Sequence, residues 1–272
     1  MMQSMWIFEI ILFIYGLSLV FYTIDLKKNN WAAKKAATGL LGLAWLMQSF
    51  MIVFELIYMQ RLSLLTLNEG IYIYGWILLT ISLIMNRIFP VRFIVFFANL
   101  FAFCMFWLAI SLHPEYQVLE KGIQLQHEIL IAHIAFTILA YGFLTLSFLL
   151  AIMYLVQYRL LKKKKGFHWL WRLSNLSELD TYSFSFVKLG VPFLFLGLIL
   201  GVVWGHFSNE SFYWFDMKTI GSISVLLVYL VYLVLRWTRG YRGRSLSILN
   251  SATFLILLVN FFLFNTLSNF HF

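Results

Sequence analysis

Charge is scarce in this chain. Asp, Glu, Lys and Arg make up 11% of its 272 residues, and hydrophobic residues make up 62%. A soluble domain carries about 25% charge, so this composition excludes a water-exposed globule and points to a chain that crosses a bilayer repeatedly. Cysteine is nearly absent. Cys104, alone in the run FAFCMFW, cannot form an internal disulfide or a CxxC redox pair and reads as a small core residue. The N-terminus lacks a basic leader and a small-residue cleavage site, so the first span is expected to stay in the mature protein. There is no P-loop, no HExxH, no GxSxG and no pair of carboxylates inside a span. Those absences leave the chain with no motif for catalysis of its own.

What is present is a series of apolar runs, near 5–24, 37–58, 70–86, 91–112, 129–158, 187–206, 217–236 and 245–267. The pattern predicts an all-α polytopic membrane protein with eight transmembrane helices. Charge sets an orientation. All of the 20 Lys and Arg except Arg61, Lys121 and Lys218 fall in the alternate connections 25–36, 86–92, 159–188 and 236–244. By the positive-inside rule these connections are cytoplasmic, and both termini are extracytoplasmic. The net charge of +9 then reflects short loops facing anionic lipid, and it needs no nucleic-acid partner. The run Lys162 to Lys165, followed by Trp169, Leu170, Leu173, Leu176 and Leu179 at helical spacing, predicts an interfacial helix on the inner leaflet, with a docking surface for a cytosolic protein as the alternative.

Five of the six histidines (His113, His127, His133, His206 and His271) fall outside or at the outer ends of spans; His168 is cytoplasmic. An imidazole-based site would therefore be extracytoplasmic. His133 lies inside the fifth span, where an ionisable side chain is costly and marks a candidate site. His271, next to last, reads on its own as part of a frayed polar terminus.

The densest cluster is GLILGVVWGHFSNESFYWFDMK, residues 197–218. It places Trp204, His206, Tyr213, Trp214, Asp216 and Lys218 in and around one short connection. Aromatic residues anchor interfaces, which is the plainer reading. They also make a platform for a flat ligand. A haem needs aromatic or apolar faces, axial imidazoles and a cation for its propionates. Histidines from two outer helix ends, with the aromatic loop between them and Lys218 beside it, supply that set. Asp216, at a helix start, reads as an N-cap or loop organiser.

The stretch LSELDTYSFSFVKLGVPFLFLGLILGVVWG, residues 176–205, resembles the cytochrome c assembly superfamily of CcsA and CcmC type. The matching features are Leu176, Leu179, Asp180, Gly190, Pro192, Gly201 and Trp204. SFYWFDMK, residues 211–218, is similar to the family's tryptophan-rich outer segment: Tyr213, Trp214, Asp216 and Lys218 match, and Phe215 and Met217 depart. Ile131 to Ile134 and the tail Asn265, Leu267 and His271 look like the family's two histidine-bearing stretches. GYRGRSLSILN, residues 240–250, looks like its glycine-containing loop.

The resemblance implies a haem-handling core over residues 91–272, behind a three-helix membrane region at 1–90. It implies non-covalent haem b, held between His133 and His271 as axial ligands, and turns the terminal histidine into a ligand. A further span histidine of CcsA-type proteins falls near Val234, which argues against haem crossing through this chain. The size and the eight spans most resemble the HemX subgroup. Membership there implies a protein of the bacterial cytoplasmic membrane that regulates tetrapyrrole biosynthesis, with glutamyl-tRNA reductase or another cytosolic haem-biosynthesis enzyme as partner at the basic inner face. Two alternatives stand beside it: a haem chaperone or lyase component in cytochrome c maturation, and a structural membrane subunit without haem.

Overall fold

The structure is a computed structural model that describes residues 2–58, 67–88, 92–111, 125–164, 175–207 and 217–267. Eight helices account for nearly all of it: α1 Met2–Lys28, α2 Trp31–Tyr58, α3 Leu67–Ile88, α4 Arg92–Ser111, α5 Leu125–Lys162, α6 Leu176–Phe207, α7 Met217–Thr238 and α8 Arg244–Leu267. No strand occurs among the described residues. Each helix is long and apolar enough to cross a membrane. Large apolar side chains such as Phe13, Phe50, Phe195 and Val231 are exposed, as lipid-facing surfaces require.

The chain divides into two compact units, residues 1–120 and 121–272. The first contains α1 to α4, in which α4 packs against α1 and α3. The α1–α2 connection is tight. Asn29 takes a left-handed φ of 52° and bonds back to Asp25 O, and Asn30 Oδ1 accepts from the Ala32 and Ala33 amides to cap α2. Inside this unit, polar side chains pair with one another, as they must where water is excluded. Tyr15 Oη donates to Asn99 Oδ1, Asn99 Nδ2 donates to Ser82 Oγ, and the stacked Trp45 and Trp76 donate to Thr80 and Ser49. Cys104 is exposed and is not the core residue expected from sequence. The buried stripe of α4 runs through Ala98, Ala102, Phe106 and Ala109, and Cys104 lies on the opposite face.

The second unit contains α5 to α8. The α5–α6 pair has the most extensive contact, and α8 packs against both α5 and α7. Phe136, Phe193, Phe143 and Phe186 stack in a ladder between α5 and α6. Deeper, Asn250 of α8 is fully buried and donates to Ser147 Oγ at 2.8 Å and to Ser183 Oγ at 3.1 Å, while Ser147 Oγ donates to Ser183 O. This node ties three helices at one depth.

α6 begins at Leu176, well before the span expected from 187. Leu179 is a buried residue of this helix and not part of an interfacial one. Asn175 Oδ1 accepts from the Ser177 amide at its start. The rest of the expected interfacial helix, 165–174, lies outside the described residues.

Candidate functional site

One end of the second unit holds the N-terminus of α5 and the C-terminus of α6. Small residues on α6 shape it. Gly190, Gly197, Gly201 and Gly205 are all buried, and the first three meet α5. A Cβ on Gly190 would meet Leu144 Cγ at 2.8 Å, one on Gly197 would meet Thr137 Oγ1 at 2.6 Å, and one on Gly201 would meet His133 Cε1 at 2.7 Å and Nδ1 at 2.8 Å. These contacts are closer than any real Cβ tolerates, so the three glycines set the approach of the two helices. The GxxxG spacing at 197 and 201 therefore serves a contact within the chain.

His133 is half-buried on α5. Its Nδ1 lies 2.5 Å from Gly197 O. A carbonyl oxygen only accepts, so Nδ1 is the donor of this bond. This second-site hydrogen bond fixes tautomer and ring orientation, which is how imidazoles are prepared as metal ligands. Thr137, one turn on, turns its hydroxyl back to His133 O at 2.7 Å and occupies the space left by Gly197. The seat of His133 thus consists of Gly197, Gly201 and Thr137. A histidine inside a span was visible in the sequence; the two glycines that receive it were legible only as a small-residue pair, and Thr137 gave no signal.

The other expected site residues are placed unevenly. Trp204 is half-buried on α6, one turn past Gly201 on the same broad face. His206 is exposed, off the buried face that carries Gly201 and Gly205, with its ring edge-on to Phe207 at 6.0 Å. The structure does not bring it to His133. Lys218 stands in the first turn of α7, with its side chain outside the described part. Tyr213, Trp214, Asp216 and His271 lie outside the described residues. Among the described residues no three His, Cys, Asp or Glu side chains gather to hold a metal ion.

At the opposite, basic end, the motif residue Asp180 has a definite task. Asp180 Oδ2 pairs with Arg236 Nη1 at 2.7 Å, with both side chains largely buried, and Asp180 Oδ1 accepts from the Gly243 amide at 3.0 Å. Arg236 also lies over the Phe184 ring, 4.9 Å from its centroid. Gly243 has a left-handed φ of 76°, and a Cβ there would meet Tyr154 Oη at 2.7 Å. One carboxylate therefore joins the start of α6, the end of α7 and the α7–α8 turn. The glycine loop and the aspartate, separate motifs in the sequence, are two halves of one joint.

The sequence matches the model of the cytochrome C assembly protein family over residues 64–271. It is 41% identical over 258 residues to Protein HemX of Bacillus subtilis, covering 95% of this chain and 94% of that protein. It is 31% identical over 271 residues to Protein HemX of Brevibacillus brevis, covering 100% of this chain and 99% of that protein. It is 24% identical over 296 residues to the cytochrome c biogenesis protein CcsA of Trieres chinensis, covering 94% of this chain and 91% of that protein. With its eight spanning helices and these bacterial relatives, the chain is a multi-pass bacterial membrane protein.

Proposed function

The chain belongs to the cytochrome c assembly protein family, and from that membership we propose that it is a haem-binding membrane protein of HemX type that regulates tetrapyrrole biosynthesis. The observation that carries the haem reading is the seat of His133: an imidazole whose Nδ1 donates a hydrogen bond to Gly197 O and whose ring lies against Gly201. The donor set fits a haem, since neutral imidazole is a good axial ligand for iron. Bound haem b supplies an iron that accepts imidazole nitrogens. His133 and His271 would hold that iron through their imidazole nitrogens. Trp204, Tyr213 and Trp214 would provide aromatic surface, Lys218 a cation for the propionates, and Asp216 an N-cap or loop organiser. Both termini and this site face the extracytoplasmic side, and the basic end faces the cytosol, where it meets glutamyl-tRNA reductase or another enzyme of haem synthesis.

The test is the absorption spectrum of the detergent-purified protein titrated with haem, beside His133→Ala and His271→Ala variants. A saturable Soret band with low-spin features that either variant loses is the expected result. No saturable binding by the native chain would overturn the haem reading. Retention of the native spectrum in both variants would overturn the ligand pair.

The likeness to a protein named for cytochrome c biogenesis favours a second reading, haem delivery in cytochrome c maturation. Val234, near the position the resemblance implies for the CcsA-type span histidine, is an exposed valine on α7, which speaks against haem transit here. Deleting the chain separates the two readings. Changed abundance of a tetrapyrrole enzyme with intact c-type cytochromes supports regulation, and loss of c-type cytochromes supports delivery.

A further inference from the structure

The joint at the basic end does more than hold helices. Asp180 neutralises Arg236 and fixes the Gly243 amide, so the turn that follows α7 is held in one conformation. That turn displays Arg242 and Arg244, both exposed, and among the described residues neither has a carboxylate partner. Arg244 extends over the ring of Tyr158 on α5, 5.8 Å from its centroid, and Tyr158 stacks in turn on Tyr154, beneath Gly243. Lys162, exposed, stands one turn beyond Tyr158 on the same face of α5. The cations thus come from two elements whose mutual placement is fixed by buried contacts.

The exposed surface below Arg244 is apolar. Ile248, Ala252, Leu255 and Val259 follow it along α8 at intervals of three and four, and all are exposed. Together they form a continuous apolar track running down a spanning helix from a guanidinium head. Trp237 and Tyr241, 67% and 48% exposed, flank the turn with rings suited to headgroup depth. A soluble anion would use the cations and leave the track and the rings without a role. A molecule with a phosphodiester head and an acyl tail uses all of them.

We propose that the α7–α8 turn, with Tyr158 and Lys162 of α5, is a binding site for an anionic phospholipid, whose phosphodiester meets Arg242 and Arg244 and whose acyl chain lies along the exposed face of α8. The site is independent of haem binding at the other end of the unit.

The experiment compares the native chain with Arg242→Gln/Arg244→Gln, an exposed pair whose loss leaves the Asp180 joint intact. Both proteins are equilibrated in micelles with phosphatidylglycerol or phosphatidylcholine, and lipid retained per protein is counted by native mass spectrometry, with thermal unfolding measured in parallel. Each basic residue near an anionic lipid surface contributes about fivefold to partitioning, so the double variant is expected to hold phosphatidylglycerol about thirtyfold more weakly. Phosphatidylglycerol is expected to raise the unfolding temperature of the native chain more than phosphatidylcholine does. Equal retention of the two lipids by the native chain, or equal phosphatidylglycerol retention by the variant, would overturn the site. Stabilisation by inorganic phosphate equal to that by phosphatidylglycerol would reassign it to a soluble anion. If the variant keeps lipid but loses a cross-link to a soluble protein, the surface belongs to a protein partner, and the proposal fails.

Discussion

The imidazole of His133 is packed against the backbone of Gly201, so close that a methyl group at 201 would stand 2.7 Å from its Cε1. One turn earlier, Gly197 O accepts a hydrogen bond from Nδ1. The ring is therefore held by the helix backbone of α6 in both position and tautomer, and the side chains around it have little freedom to compensate for a change there.

Gly201→Ala is expected to displace the His133 ring. Overpacking of this kind costs about 1–3 kcal/mol, and the displaced ring is expected to weaken haem binding and shift the Soret band. Gly190→Ala is the matched control. It crowds Leu144 on the same helix pair without touching His133. It should lower the unfolding temperature to a similar degree while the spectrum of the folded protein stays native. Equal spectral loss in both variants would show that helix separation, and not the histidine seat, is what matters.

Asp180→Asn keeps the shape of the side chain and an oxygen for the Gly243 amide but removes the charge opposite Arg236. Removing one partner of a largely buried pair leaves the other charge uncompensated, at a cost of about 3 kcal/mol. Asp180→Asn/Arg236→Met removes the stranded charge as well and retains the amide bond. The double variant is therefore expected to recover most of the lost stability, measured as thermal unfolding in one detergent. A double variant no more stable than the single would show that the ion pair is not the source of the loss.

Eight spans were legible because uninterrupted apolar length is a strong signal, and the helices reproduce it. The start of α6 was not legible. Ser177, Glu178, Asp180, Thr181, Ser183 and Ser185 read as a polar connection, yet they are helical. Thr181 and Ser185 return their hydroxyls to the carbonyls four residues before, Ser183 joins the buried node with Asn250, and Arg236 neutralises Asp180. A polar residue satisfied by a distant partner looks the same in sequence as one facing water. The site divides in a similar way. A histidine inside a span is visible by its cost, whereas its glycine seat depends on which helix comes to lie beside it.

Gly243→Ala carries two separable penalties. The left-handed φ of 76° costs a non-glycine residue about 1–2 kcal/mol, and the new methyl group collides with Tyr154 Oη. Tyr154→Phe removes the colliding oxygen. In the background of Tyr154→Phe, the glycine substitution is expected to cost only the backbone part, a non-additive cycle readable by thermal unfolding. An additive cycle would mean that the tyrosine hydroxyl does not limit the turn.

The node at Asn250 tests how much a buried amide holds this unit together. Its Nδ2 donates to Ser147 and Ser183 from two other helices. Hydrogen bonds between spanning helices average about 0.6 kcal/mol and reach about 1.7, because a helix separated in lipid finds other partners. Asn250→Ala is therefore expected to cost about 1–2 kcal/mol. Ser147 Oγ and Ser183 still bond to each other without the amide, so the two hydroxyls are not stranded. Ser183→Ala added to Asn250→Ala should then cost less than it does alone, since the bond to the amide is already gone. If the two substitutions sum, Asn250 acts through packing alone, and the contact of α8 with α5 and α6 rests on apolar surface and not on the polar node.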